Sequence, residues 1–238
     1  MFSKSHIFEA PQDTSQDAED AGFLVKTQAM TLVPGRPIFL QQIRRDAFRI
    51  VDGCVVIYQE LNGDRRQILD ILGPARIFSY AMASLENCEA QAVVPTKVER
   101  LAVNSAVSPM EIQAALYLSF HRIQAHAVSL GRKTVTERIA CFLLDLATQF
   151  ARRNGGRASR KTTFALHLTR AEIADYLGLT LETVSRNLSR LKREKLISFV
   201  RPEIVTILDR AALERLAAGF SLSTIRPALA LTRVPVTA

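Results

Sequence analysis

The stretch from Thr169 to Lys195, TRAEIADYLGLTLETVSRNLSRLKREK, constrains the fold of this chain more than any other. Thr169 followed three residues later by Glu172 is a capping box. The hydroxyl satisfies an orphan backbone N–H, and the glutamate reaches back to the cap. Ile173, Ala174 and Leu177 then form one apolar face, and Gly178 ends the helix where a left-handed residue is needed. Leu179 reads as a buried turn residue and Thr180 as the next N-cap. Behind it Val184, Leu188 and Leu191 recur at i, i+4 and i+7, a single core-facing stripe. The spacing predicts two short helices joined by a glycine turn.

The face opposite that stripe carries Glu182, Ser185, Arg186, Ser189, Arg190 and Arg193. Arginine can grip guanine O6 and N7 with paired hydrogen bonds, glutamate can accept from the cytosine amino group, and serine serves several base edges. Glu182, Ser185 and Arg186 fall in the first turns of the second helix, the part of a recognition helix that reaches base edges in a major groove. Charge alone would describe any solvated helix. Two caps, a glycine turn and a polar reading face together are more specific. After the helix, Leu196–Val200 and Ile204–Leu208 flank Arg201-Pro202-Glu203, two β-rich runs around a proline turn. They read as a hairpin wing, with Arg201 at the tip as a phosphate contact or a solvated turn residue.

Charge travels with this segment. The chain has 238 residues and a net charge of +8. Up to Gly131 there are 12 Lys+Arg against 14 Asp+Glu; the remainder carries 19 basic and 9 acidic residues, a balance of +10. Such a field supplies the salt-dependent, sequence-independent part of DNA affinity. No apolar run is long enough to span a bilayer, and the opening residues lack the basic-then-apolar order of a secretory leader. No membrane contact and a cytoplasmic location are therefore expected. Cys54, Cys88 and Cys141 are far apart, without the clustered spacing of a zinc or iron–sulfur site. They read as free thiols, with Cys88 the most exposed, in a polar stretch whose neighbours Glu86 and Glu89 oppose thiolate formation.

Residues 1–22 are expected to form a flexible polar arm. Residues 23–106 alternate short β-runs (Ile38–Leu40, Phe48–Val51, Cys54–Glu60, Gln67–Leu72, Ala90–Val94, Lys97–Val103) with glycine turn signals. That pattern predicts an all-β sandwich or barrel. Residues 107–131 switch to a helical period. Ile112, Leu116, Phe120, Ile123, Ala127 and Leu130 form a stripe expected to pack on its twin across a two-fold axis, and Gly131 is expected to break the helix. Residues 132–218 hold the DNA-binding module, with a helix from Thr134 to Ala151, a basic loop over 152–161 and a short strand from Phe164 to Leu168. Residues 219–238 are expected to form a tail. His126 lies off the apolar stripe and reads as solvated or interfacial; His167 reads as structural or as a backbone or phosphate contact. The class is α+β: a β-roll of jelly-roll type, a long dimerisation helix and a C-terminal winged helix-turn-helix.

This order of elements resembles the Crp/Fnr (catabolite-activator/fumarate-nitrate-regulator) superfamily of bacterial transcription factors, over roughly residues 23–216 and most closely at LTRAEIADYLGLTLETVSRNLSRLKREKLI. Glu182-x-x-Ser185-Arg186 resembles the reading triad of the Fnr and FixK branch, which implies TTGAT…ATCAA-type palindromes as targets. Leu181 stands where the catabolite-activator branch has arginine. The resemblance implies phosphate contacts at Thr169, Arg170, Thr180 and Thr183, to which the residue chemistry adds Arg190 and Arg201. It further implies a homodimer on double-stranded DNA that engages RNA polymerase. The arginine that meets a cyclic phosphate in nucleotide-binding members is missing between Arg76 and Arg100, where Glu86 and Glu89 stand instead. Residues 1–30 lack the cysteine cluster of the oxygen-sensing branch. No cofactor is expected. A member gated by haem through Cys54 or Cys88, by a small molecule or by thiol redox is the alternative. A P-loop, Gly-x-Ser-x-Gly and His-Glu-x-x-His are all absent, so no enzyme is expected.

Overall fold

The computed structural model describes residues 29–39, 46–62, 65–79, 88–102, 108–151 and 161–221. The arm expected over 1–22, the basic loop up to residue 160, Glu86 and the tail beyond 221 lie outside the described residues.

Among the described residues eight strands come first: β1 (Ala29–Leu32), β2 (Pro37–Phe39), β3 (Asp46–Asp52), β4 (Val55–Leu61), β5 (Arg65–Leu72), β6 (Ile77–Ser79), β7 (Cys88–Ala92) and β8 (Thr96–Ala102). They pair antiparallel in two four-stranded sheets, ordered β1-β8-β3-β6 and β2-β7-β4-β5. Most match the sequence expectation. β1 and β6 were not expected.

The run Cys54–Tyr58 has both faces covered, and this explains its unbroken hydrophobicity. Val55 and Ile57 point into the roll with Phe48, Ile50, Phe78, Ala90 and Val98. Val56 and Tyr58, with Ile68 and Ile71 of β5, point the other way and join the core of the helical half. At Gly53, φ is 102°, and a Cβ there would sit 2.5 Å from Thr96 Oγ1. Only glycine lets the β3–β4 turn close on β8.

Cys88 is 4% exposed. This corrects the expectation that it is the exposed thiol: as the first residue of β7 it faces the roll core, whatever its polar sequence neighbours. Burial, and then Glu89, push its thiol pKa up, and burial does the same to Cys54. Cys141 is the half-exposed one.

Helix α1 (Ser108–Arg132) follows the roll. It runs through Gly131, against the expectation that this glycine would break it. The break falls at Thr134, which caps α2 (Val135–Phe150) in a second capping box with Glu137. The apolar stripe expected to face a twin is divided. Ile112, Leu116 and Leu130 are half-buried against the chain's own residues, while Phe120, Ile123 and Ala127 are exposed. The outward face is centred elsewhere, on Met110, Ala114, Tyr117, His121, Gln124 and Val128, all exposed. Those residues step by 4, 3, 4, 3 and 4, the seam spacing of a coiled coil. Because α1 is apolar over most of its circumference, a period count alone could not separate its inner face from its outer one.

The helical half continues with β9 (Thr162–Ala165), α3 (Arg170–Leu177), α4 (Leu181–Arg193), β10 (Ile197–Arg201), β11 (Ile204–Ile207) and α5 (Arg210–Ala217). The expected hairpin is present as β10–β11, and β9 adds to β11 as a third strand. The strand expected over Phe164–Leu168 starts and ends earlier, at Thr162 and Ala165. α5, capped by Asp209, was not expected. Among the described residues no helix is long and apolar enough to cross a membrane.

Candidate nucleic-acid interface

The local chemistry of the two short helices is as the residues dictate. Thr169 N donates to Glu172 Oε2 at 2.7 Å, and Glu172 N donates to Thr169 Oγ1 at 3.2 Å. Gly178 holds φ at 62° and closes α3. Thr180 caps α4, its Oγ1 accepting from Thr183 N at 3.2 Å. Val184, Leu188 and Leu191 are buried, each worth about 1.5–3 kcal/mol of apolar burial. Leu179 is only half-buried, at the edge of the same core.

That anchoring leaves the opposite face of α4 to solvent. Glu182, Arg186, Ser189, Arg190 and Arg193 are exposed and Ser185 is half-buried. Ser185, Arg186, Asn187, Ser189, Arg190 and Arg193 line one shallow groove along the helix. Glu182 and Arg186 form an ion pair one turn apart, so each holds the other in reach of the same surface. Asn187 is turned inward: Nδ2 donates to Thr183 O at 2.9 Å and Oδ1 accepts from Thr136 Oγ1 of α2 at 3.2 Å. It seats the recognition helix on α2.

Of the residues expected at phosphates, Thr183 and Arg190 lie on α4, Thr169 and Thr180 cap α3 and α4, Arg170 begins α3 and Arg201 ends β10. Thr169 and Thr180 are exposed at the N-termini of α3 and α4, where orphan N–H groups and the helix dipole favour anions. Their hydroxyls serve the caps, and Thr183 Oγ1 lies 2.8 Å from Thr180 Oγ1. Arg170 lies with its guanidinium carbon 5.1 Å from the centroid of Phe199 on β10, tying α3 to the wing. Burial lowers its pKa. Arg201 is exposed at the end of β10, beside a bulge between Phe199 and Arg201.

Leu181, noted in the sequence only for standing where another branch has arginine, is 53% exposed as the first residue of α4. An apolar side chain at that place suits a thymine methyl. His167 is half-buried, edge-on to Phe150 with centroids 5.0 Å apart, a structural placement. His126, expected to be solvated or interfacial, is instead stacked on Tyr176 at 4.0 Å and 9°, because that side of α1 faces α3. Burial lowers its pKa.

The β-roll reaches this half directly. Arg66 of β5 bonds Asp175 Oδ2 at 3.0 Å and pairs with Glu172 at 3.6 Å, so the capping glutamate of α3 is shared with the roll. Gln67 Nε2 donates to the carbonyls of Asp175 at 2.7 Å and Tyr176 at 3.1 Å. Asp70, also on β5 and buried, accepts from Arg122 Nε at 3.1 Å and Nη2 at 2.6 Å, and from Ser119 Oγ at 3.0 Å. Among the described residues, no group of three His, Cys, Asp or Glu could hold a metal ion.

A β-roll joined through a long helix to a winged helix-turn-helix, with a basic and polar reading face left open, defines a DNA-binding regulator. Known proteins agree. The Crp-like helix-turn-helix domain family matches residues 137–216. Nitrogen fixation regulation protein FixK of Rhizobium meliloti is 35% identical over 188 residues, covering 78% of this chain and 85% of that protein. FixK of Azorhizobium caulinodans is 37% identical over 183 residues, with 74% and 73% covered. The solved structure of FixK2 from Bradyrhizobium japonicum superposes with a TM-score of 0.69 at 26% identity, over 83% of this chain and all of that one. The chain belongs to the Crp/Fnr family of DNA-binding transcription regulators and is FixK-like. Members of this family are regulators, not enzymes.

Proposed function

We propose that this protein acts in the cytoplasm as a homodimer on TTGAT…ATCAA-like palindromes, controlling oxygen- or nitrogen-related genes in the manner of FixK and engaging RNA polymerase there. The observation that carries the reading is α4 itself. Its apolar stripe is buried to the last residue, and Glu182, Ser185 and Arg186 stand together on the open face. Arg186 reads guanine, Glu182 accepts from a cytosine amino group, Ser185 adds an adaptable contact and Leu181 packs on a thymine methyl. Thr169, Arg170, Thr180, Thr183, Arg190 and Arg201 hold the flanking phosphates and fix the register without reading sequence. The outward apolar face of α1 supplies the two-fold that a palindrome requires.

The test is fluorescence anisotropy of the purified protein on a TTGAT…ATCAA duplex and on a scrambled duplex of equal length. Binding to the palindrome roughly a thousandfold or more tighter is the expected result. Equal affinity for both duplexes would remove the specific reading. No cofactor is assigned in this function. A thiolate-bound haem at Cys54 or Cys88 is disfavoured because burial raises both thiol pKa values.

A further inference from the structure

Arg138, in the first half of α2, spends its guanidinium on three backbone carbonyls from three places in the chain. Nη2 donates to Leu130 O at 2.6 Å, Nε to Lys133 O at 2.9 Å and Nη1 to Leu177 O at 3.1 Å. Leu130 lies in the last turn of α1, Lys133 forms the link between α1 and α2, and Leu177 ends α3. Two of these are helix C-terminal carbonyls, which lack intrahelical donors and carry the negative end of the dipole. One planar fork therefore joins the end of α1, the hinge and the end of α3 in fixed mutual geometry. The fit is close. A Cβ on Gly178 would lie 3.4 Å from Leu130 Cδ2 and 3.9 Å from Arg138 Nη1, so the turn of the helix-turn-helix is seated on the same spot.

We propose that Arg138 is a positioning residue that fixes the recognition helix relative to α1 and thereby sets the half-site spacing that a dimer accepts; this rests on the dimeric reading given above. The chain of cause is short. α4 follows α3 through Gly178, Leu179 and Thr180, so any rotation of α3 about the hinge swings the reading face. In a dimer built along α1, that swing changes the distance and angle between two reading faces. Binding of the second half-site is intramolecular, and its gain depends on whether the geometry lets both engage at once. Arg66 and Gln67 also hold α3, but they tie it to the β-roll rather than to the end of α1. Arg138 touches no base in this scheme; it acts through Leu177 and the turn beyond it.

The experiment uses the full-length chain and three duplexes: the TTGAT…ATCAA palindrome, the same palindrome with its centre lengthened by about two base pairs, and a duplex with one half-site. Wild type is expected to prefer the parent over the lengthened palindrome by roughly tenfold or more, and Arg138→Ala to reduce that preference to about twofold or less. Affinity for the single half-site and the dimeric mass in solution stay unchanged. Arg138→Lys keeps the charge but not the fork, is the milder change should the alanine variant fail to fold, and is expected to lose most of the preference too. The proposal is overturned if Arg138→Lys keeps full spacing preference. It is also overturned if single half-site and palindrome binding weaken in equal proportion, the pattern of general structural damage. If wild type itself does not distinguish palindrome from half-site, the dimeric reading fails, and it fails independently of Arg138.

Discussion

At the scale of single residues, Arg186 and Arg190 lie one turn apart on one helix face, and their proposed work differs. Arg186→Ala is expected to cost about 1–3 kcal/mol on the palindrome and to relax the choice of base at the guanine position. Arg190→Ala is expected to weaken specific and random duplexes alike and to lower the salt slope by about one unit. Titrations of both variants on matched and mismatched duplexes at several salt concentrations check this. An Arg186 variant that loses equally on both duplexes would make it another phosphate ligand. The residues behind this assignment were legible because their chemistry is local. Thr169 meets Glu172 three residues on, Thr180 meets Thr183, and Gly178 stands where the backbone turns left-handed. Arg66 and Arg138 were not legible. Their partners Asp175 and Leu177 lie 109 and 39 positions away, and no spacing rule reaches that far.

At the scale of elements, α1 is a correctly read helix whose expected stripe divides between its inner and its outer side. The stripe from Ile112 to Leu130 is apolar, yet its two ends pack on the chain itself, while Phe120, Ile123 and Ala127 stay exposed alongside Met110, Tyr117 and Val128, the side proposed to meet the second subunit. Tyr117 is 64% exposed in the single chain and sits edge-on to His121 at 4.3 Å. Tyr117→Glu is therefore expected to place like charges opposite one another across the two-fold and shift the protein toward monomer. Analytical ultracentrifugation reads this directly. Leu116→Ala would instead lower the melting temperature, since Leu116 is half-buried within its own subunit. A Tyr117→Glu protein that stays dimeric at low concentration would move the interface off this seam. The wing and the caps, in contrast, were readable because each is specified by neighbours in sequence.

At the scale of the whole molecule, the two halves share one core. Val56, Tyr58, Ile68 and Ile71 of the roll are buried with Ile139, Leu143, Leu146, Ile173 and Leu177 of the helical half. His126 on Tyr176 belongs to this shared core, and burial holds its pKa below the ordinary histidine value. The folded state keeps the imidazole neutral where the unfolded chain would protonate it. Stability is then full above the unfolded pKa and falls as pH drops from there toward the lower folded value. His126→Phe, which keeps a ring on Tyr176 but cannot titrate, is expected to lose less melting temperature between about pH 7.5 and about pH 5.5 than wild type. Equal losses would place the acid-sensitive group elsewhere. The shared core has a further consequence for anyone who recombines these modules. A front end borrowed from a relative must bring an outer sheet surface that matches α2 and α3 side chain for side chain. A graft joined at α1 alone would leave bare hydrocarbon on both pieces, and such chimaeras should clump before they ever meet a promoter.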